Sequence, residues 1–139
     1  MNERQPTPDQ LRAFRDHERQ GPIQMINLLK FRDRAEYDTE IDEDTDVSGR
    51  EAYRRYGAAV GGIVRRLGGR LVWAGTPEVV FIGNDGDQWD EVAIVEYPDR
   101  QAFLKMIAMA EYQAAHVHRE AGLAHQKLIQ CRPGGQALE

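Results

Sequence analysis

Hydrophobic residues recur at helical spacing over the longest patterned stretch of the chain, from Tyr97 to Leu123. Pro98 interrupts strand pairing, Asp99 can cap the first free amides of a helix, and Gly122 favours the left-handed conformation that ends one. The stretch therefore predicts one long amphipathic helix. Its apolar stripe consists of Phe103, Met106, Ile107, Ala110, Ala114, Val117 and Ala121. A weaker stripe on the back consists of Leu104, Ala108, Tyr112, Ala115 and Arg119.

Two further helices begin at capping boxes. Thr7 to Gln20 predicts a short N-terminal helix, which is the natural cover for the weaker stripe. Ser48 and Glu51 open another helix, which ends at Gly68. That helix contains Gly57, Gly61 and Gly62, which weaken a helix unless a close backbone approach requires them. The approach is either tight packing on a sheet or a contact with a second subunit or a ligand.

The remaining apolar runs predict strands bounded by Gly, Pro, Asn and Asp. The predicted strands are Ile23 to Phe31, Arg70 to Ala74 with Glu78 to Gly83 as separate strands or one bent strand, Trp89 to Glu96, and Ala124 to Cys131. A hairpin turn is predicted at Asn84 to Asp87, between the run that ends at Gly83 and the strand that begins at Trp89. The order of strands and helices predicts an α+β fold, namely a ferredoxin-like βαββαβ protomer with an extra N-terminal helix.

The first strand is apolar on both faces, since Met25 and Leu29 alternate with Ile26 and Leu28. Two helices cover only one face of a four-stranded sheet. The other face therefore requires a cover from outside the chain, and we expect a twofold homodimer packed through the sheet faces.

Three segments in order resemble the domain of unknown function 1330 family, part of the dimeric α+β barrel superfamily. They are Asn27 to Phe31 (NLLKF), Ser48 to Gly57 (SGREAYRRYG) and the stretch from Val95 to Leu123. The resemblance implies a homodimer whose sheets enclose a barrel. The superfamily includes cofactor-free monooxygenases, isomerases and decyclases as well as haem enzymes, so the resemblance implies no particular reaction.

The length and composition predict a single domain over residues 1–139, with the N-terminal helix at about 7–20, the core at about 22–132 and a loose C-terminal tail. The net charge of −5 argues against nucleic-acid binding. Cys131 is the only cysteine, and no apolar run is long enough for a signal or membrane segment. A cytoplasmic protein without membrane contact is expected.

Asn27 and Trp73 are the strand residues with polar groups that can face a cavity. The Asn27 amide is either satisfied by neighbouring backbone or directed at a ligand. Trp73, expected on the same strand face as Leu71, is either a core residue or a cavity residue whose indole N–H needs a partner.

His116 and His118 lie two positions apart on the long helix and point to opposite sides, so they predict no metal site. His118 flanks the apolar stripe and is either structural or directed into a cavity, whereas His116 is expected in solvent. Arg119 is a surface charge, an ion-pair partner of the N-terminal helix or an anion clamp. The acidic loop from Asp33 to Asp46 lacks the glycine and glutamate of a calcium loop and predicts a solvated, mobile segment.

Two functions remain open. The first is a small-molecule-binding protein that acts as a cofactor-independent enzyme of the monooxygenase or isomerase type, with its pocket in the barrel. The candidate pocket residues are Asn27, Trp73, His118 and Arg119. Neither a metal nor a cofactor is expected. The alternative is a non-catalytic ligand-binding or structural homodimer, which the absence of a recognisable acid–base pair favours.

Overall fold

The structure is a computed structural model that describes residues 4–134. The helices are α1 (Pro8–Arg15), α2 (Gly49–Arg66), α3 (Arg100–Ala108) and α4 (Ala110–Gly122). The strands are β1 (Ile23–Phe31), β2 (Arg70–Gly75), β3 (Glu91–Tyr97) and β4 (Leu123–Cys131), and a short 3-10 helix lies at Asp85–Asp87.

The four strands form one sheet in the order β2-β3-β1-β4, with every neighbouring pair antiparallel. Along the chain, α2 connects β1 to β2, and α3 and α4 connect β3 to β4. This connectivity and the strand order confirm the predicted ferredoxin-like α+β fold. The bounds of β1 agree with the sequence prediction, and Thr7 and Ser48 cap α1 and α2 as expected. The C-terminal tail was predicted to be loose, and its residues 135–139 lie outside the described residues.

One face of the sheet packs on the helices and forms the core. Ile23 and Met25 of β1 join Ile63 of α2 and Met106 of α3 in the main cluster. Leu29 and Phe31 form a smaller cluster with Leu123. Because alternate residues of a strand point to opposite faces, the even-numbered residues of β1 lie on the face away from the helices.

The face away from the helices, called here the uncovered face, is largely apolar. Its central row crosses all four strands through directly paired residues: Trp73, Ile94, Ile26 and Ile129. Leu28 and Val92 form the next row. Trp73 is 53% exposed and Ile129 is 45% exposed.

The long helix predicted between Tyr97 and Leu123 is wrong as a single element, because it breaks at Met109. The Met109 backbone is extended, with φ −73° and ψ 139°, so the register of side chains changes between α3 and α4. In α4 the buried residues include Tyr112, Ala115 and Arg119 of the weaker stripe, while Ala110 and Ala114 of the main stripe are exposed.

Two other elements differ from the prediction. The segment from Glu78 to Gly83 forms no strand, and the connection from β2 to β3 is a long exposed excursion instead of a tight hairpin. Its apolar residues have no sheet neighbour in the described protomer, which is why their strand propensity is not realised. The N-terminal helix ends at Arg15, with Asp16 as its C-cap, and does not continue to Gln20.

No helix within residues 4–134 is long and apolar enough to cross a membrane. The cytoplasmic location stays a prediction.

Glycines at the ends of α2 and α4 allow the two helices to touch. A Cβ atom on Gly49 would lie 2.6 Å from the Gly122 carbonyl oxygen, and one on Gly122 would lie 2.5 Å from the Gly49 carbonyl oxygen. Gly57, by contrast, has no atom within 4 Å of such a position. The close approach therefore occurs at the helix ends, and tight packing on the sheet does not explain the glycine in the middle of α2.

These environments predict opposite effects for the same substitution in one helix. Gly49→Ala should lower the free energy of unfolding by about 1–3 kcal/mol because the added methyl group overlaps backbone atoms. Gly57→Ala should raise it by about 0.5–1 kcal/mol because alanine is the better helix former and meets no obstacle. Urea unfolding of both variants measures the difference, and equal effects would refute the assigned helix contact.

Candidate functional site

The acidic loop between β1 and α2 is fastened at its base to the end of α4. The amides of Arg32 and Glu36 donate to the carbonyl oxygens of Gly122 and Ala121 over 2.8 and 2.9 Å. The Ala35 amide donates to the Val47 carbonyl over 2.9 Å and closes the loop. The base of the loop is therefore held against α4 by its backbone. Residues 38–40 and 42–46 are exposed, as expected of a solvated segment, and its mobility stays a prediction.

The loop places two side chains against α2 and α4, where four residues form a closed network. The hydroxyl of Tyr37 lies 2.7 Å from Nδ1 of His118, and Nη1 of Arg55 donates to the same hydroxyl over 3.3 Å. Glu43 lies 3.3 Å from Nε2 of His118 and 3.4 Å from Nε of Arg55. We call Tyr37, Glu43, Arg55 and His118 the polar ring.

The hydrogen bonds of the polar ring are consistent with one arrangement of protons. Because Tyr37 accepts from the Arg55 guanidinium, its own hydroxyl is free to donate to Nδ1 of His118. On the other side of the ring, Nε2 of His118 lies 3.3 Å from a carboxylate oxygen of Glu43. The ring thus joins a cation, a phenol, an imidazole and a carboxylate, which together can donate or accept a proton at a ligand.

An open groove of about 520 Å³ lies between α2 and α4 and begins at the polar ring. Its lining consists of Glu43, Arg55 and His118 at one end, with Ala58, Ala59, Ala114, Ala115 and Glu111 along its length. Arg66 pairs with Glu111 over 2.6 Å and links the two helices beyond the alanines. We call this feature the α2–α4 groove. Its volume is in the range of small-molecule sites.

His118 is the predicted candidate that lies in this groove. Its ring packs edge-on against Tyr37, with centroids 5.6 Å apart, and the residue is only 9% exposed. A buried imidazole with both nitrogens engaged has a fixed orientation.

Asn27 lies on the helix-facing side of β1 and its amide group contacts backbone. Nδ2 donates to the Met25 carbonyl oxygen over 3.1 Å and to the Ala93 carbonyl oxygen over 3.4 Å. These contacts correspond to the structural alternative, in which neighbouring backbone satisfies the buried amide.

Trp73 lies on the uncovered face, because it pairs with Ile94. A β-bulge between Leu71 and Trp73 changes the alternation, so the prediction that these two residues share a face is wrong. The indole lies along the strand over Gly75, where a Cβ atom would be 2.6 Å from the ring. Asn27 and Trp73 therefore face opposite sides of the sheet and do not line one cavity within the protomer.

Arg119 is buried and is directed toward the N-terminal segment. Its Nη1 donates to the Arg4 carbonyl oxygen over 3.0 Å and lies 3.4 Å from Nε2 of His116. Arg4 in turn donates to the Glu120 carbonyl oxygen over 2.9 Å. Arg119 thus fixes the segment before α1 to α4. Because it is buried, Arg119 is not a surface charge, and its partner at the N-terminal segment is a carbonyl oxygen and not an acidic side chain.

Three tyrosines beside the core form a cluster between α2 and α4. The hydroxyl groups of Tyr56 and Tyr112 are 2.9 Å apart, and Tyr53 packs on Tyr56. Burial raises the pKa of Tyr53 and of Tyr56, an effect that the positive charge of Arg119 partly offsets. The phenols of Tyr53 and Tyr56 therefore stay protonated, and the three side chains support α2 against α4.

Within residues 4–134, no group of three or more His, Cys, Asp or Glu side chains is placed to hold a metal ion. The polar ring supplies one imidazole and one carboxylate. The absence of a metal and of a cofactor stays a prediction.

Sequence reasoning missed Tyr37, Glu43 and Arg55. Tyr37 was the available signal, because it is the one aromatic residue in an otherwise acidic and polar loop. Nothing in the spacing of the three residues relates them to His118, since the loop meets α4 only after folding. His116, which was expected in solvent, is half-buried beside Tyr112.

The half-buried His116 predicts a pH effect on stability. Burial lowers its pKa below the ordinary value of 6.5, Arg119 lowers it further, and Glu120 opposes the change. The unfolded chain therefore takes up this proton at a higher pH than the folded protein, so stability is lost as the pH falls below about 6.5 toward the folded pKa. Urea unfolding at pH 7.5 and at pH 5.5 measures this effect. We expect the free energy of unfolding of His116→Gln to fall less between these pH values than that of the wild type, and equal falls would contradict a lowered pKa of His116.

Comparison with known proteins agrees with this fold. The family model described as "Domain of unknown function (DUF1330)" matches residues 43–130. No curated protein matches the chain. Crystal structures of RPA0582, a protein of unknown function from Rhodopseudomonas palustris, match with 38% identity and a TM-score of 0.88. The match covers 98% of this chain and 98% or 100% of RPA0582 in its two structures.

Two more distant structures share the fold alone. At3g17210 from Arabidopsis thaliana is 13% identical with a TM-score of 0.53, over 84% of this chain and 99% of that one. An uncharacterized NIPSNAP domain protein from Burkholderia xenovorans is 15% identical with a TM-score of 0.50, over 85% of this chain and 99% of that one.

Proposed function

The chain belongs to the DUF1330 family, whose function is unassigned, and we propose that it is a homodimer that binds a small molecule in the α2–α4 groove. The observation that carries the proposal is the polar ring at the end of this groove, in which a buried His118 is held between a phenol and a carboxylate. Buried polar groups of this kind converge on one place in ligand sites. The net charge of −5 supports a small molecule over a nucleic acid as the ligand.

The shape and charges of the groove indicate the kind of ligand. The alanines of α2 and α4 form an apolar floor, and the polar ring provides donors from Arg55 and an acceptor from Glu43. A compact organic molecule with an apolar body and an oxygen at one end is complementary to this arrangement. The oxygen would bind near Arg55, whose guanidinium lines the groove and can donate hydrogen bonds.

A cofactor-independent enzyme is the second candidate. It is supported by the position of the Tyr37 hydroxyl, which lies between the Arg55 guanidinium and the His118 imidazole. The Tyr37 oxygen can accept a proton from a ligand while the Tyr37 hydroxyl passes its own proton to Nδ1 of His118. A non-catalytic binding protein would use the same groups to orient its ligand without transferring a proton.

Filling the groove tests the binding site. Ala114→Phe places a ring on the groove floor at an exposed position of α4, so it should weaken ligand binding at least about 10-fold without loss of folding. Ala110→Phe is the matched control, because Ala110 is exposed on the same helix outside the groove lining. Ligand-observed NMR with a panel of small carboxylates, phenols, ketones and lactones provides the measurement.

Binding of panel members to the wild type and to Ala110→Phe, but not to Ala114→Phe, is the expected result. Equal binding to all three proteins would place the ligand elsewhere, and the absence of binding by any panel member to the wild type would remove the support for this ligand class.

The apolar uncovered face is the reason for proposing a homodimer. Its central row, from Trp73 to Ile129, is apolar across all four strands, and the helices of the same protomer lie on the other side of the sheet. A twofold contact through two such faces removes both from water and encloses a barrel. The space between the two faces is the barrel of the sequence prediction, with Trp73 at its wall.

A charge on the central row should separate the subunits. Ile94→Lys places an ammonium group on the uncovered face of the central strand β3, where desolvation costs several kcal/mol in a dimer but little in a monomer. Leu11→Lys on the exposed side of α1 is the control. Sedimentation equilibrium should show dimers for the wild type and Leu11→Lys and monomers for Ile94→Lys. A wild type that is monomeric at micromolar concentration would rule out the dimer.

A further inference from the structure

The connection between β2 and β3, residues 76–88, is an apolar arm that contacts little of its own protomer. Every residue of this arm is exposed. Three of its four consecutive apolar residues are among the most exposed hydrophobic residues of the described chain: Val79 at 83%, Phe81 at 93% and Ile82 at 88%. Scattered exposed hydrophobic residues are common, but a contiguous run of this kind marks an interaction surface.

The composition of the arm conflicts with its conformation. Val79 to Ile82 consists of β-branched and aromatic residues, which are typical of strands, yet the segment joins no sheet within the described protomer. A conflict between local propensity and observed state is expected where a partner is needed to realise the preferred state. The apolar residues of the arm are therefore removed from water only when another surface covers them.

The uncovered face of the same chain is complementary to the arm in polarity and charge. Its apolar row ends at Ile129 on the edge strand β4, close to Lys127 and His125 on the same face. Lys127 forms no ion pair within residues 4–134. The arm has apolar residues at its centre and carries Glu78, Asp85 and Asp87 on either side of them, without any basic residue.

We propose that the arm of one protomer packs on the uncovered face of a second copy of this chain, with Phe81 and Ile82 beside the partner's Ile129 and the acidic residues near the partner's Lys127. This inference rests on the proposed homodimer and adds to it an exchange of arms. Each protomer then closes one side of the barrel of its partner, so the barrel wall contains residues from both chains.

Photo-crosslinking between isotopically distinct copies tests the exchange. Phe81→p-benzoylphenylalanine keeps an aromatic ring in the arm and adds a photoreactive group. An unlabelled preparation of this variant is mixed with the ¹⁵N-labelled wild type, and the subunits are allowed to re-equilibrate before irradiation. We expect crosslinked peptides that join the light arm to heavy residues 23–31 or 123–131. The same photoreactive residue at Leu11 is the control, and it should give no such product.

A second variant measures the contribution of the arm to assembly. Replacement of Val79, Phe81 and Ile82 by serine changes only exposed residues, so the protomer should fold as before. We expect the dimer dissociation constant to rise at least about 100-fold, because three large apolar side chains lose their cover. Sedimentation over a range of concentrations determines this constant.

The outcomes separate this inference from the homodimer itself. Crosslinks only within one copy, or an unchanged dissociation constant for the serine variant, would overturn the arm exchange and leave the sheet-to-sheet dimer standing. A wild type without dimers would overturn both. Light-to-heavy crosslinks to the partner's sheet together with weakened assembly of the serine variant support the exchange.

Discussion

A single layer of helices covers one face of the four-stranded sheet, and this constraint determines how the rest of the molecule is arranged. On the helix side, β1 contributes Ile23, Met25 and Leu29 to a core that is closed within the protomer. On the other side, the same strand presents Ile26 and Leu28, which no helix within residues 4–134 covers. The apolar arm between β2 and β3 is a second surface of the same kind. One copy of the chain therefore has two unpartnered apolar surfaces, and a second copy can cover both.

The contact between the ends of α2 and α4 determines the geometry of the candidate site. Gly49 and Gly122 allow the helix ends to approach to backbone distance, and the base of the acidic loop is bonded to the same end of α4. The loop then carries Tyr37 and Glu43 to His118. Farther along the helices the groove is lined mostly by alanines of α2 and α4, which leaves it open. The site is thus a consequence of helix packing on the covered side of the sheet and does not depend on the barrel.

The sequence was most informative where structure is determined locally. Thr7 and Ser48 cap their helices through side chains three residues from their partners, and the alternation in β1 reports its two faces directly. The break at Met109 was not predictable in this way, because alanine, methionine and glutamate on both sides of it all favour a helix. The arm has the composition of a strand but joins no sheet formed by the described part of the chain. Tyr37 and Glu43 reach His118 across about 80 residues of sequence, so no spacing rule relates them.

Solvent accessibility of the isoleucine and leucine methyl groups tests the central claim, that the uncovered face is covered by a second copy in solution. Paramagnetic relaxation by a neutral gadolinium chelate measures this accessibility at each assigned methyl group. If a second copy covers this face, Ile129, 45% exposed in the protomer, is shielded nearly as well as the fully buried Ile63, whereas Leu11, 39% exposed on α1, remains accessible. Relaxation of Ile129 equal to that of Leu11 would contradict the account, because it would show the uncovered face in contact with water.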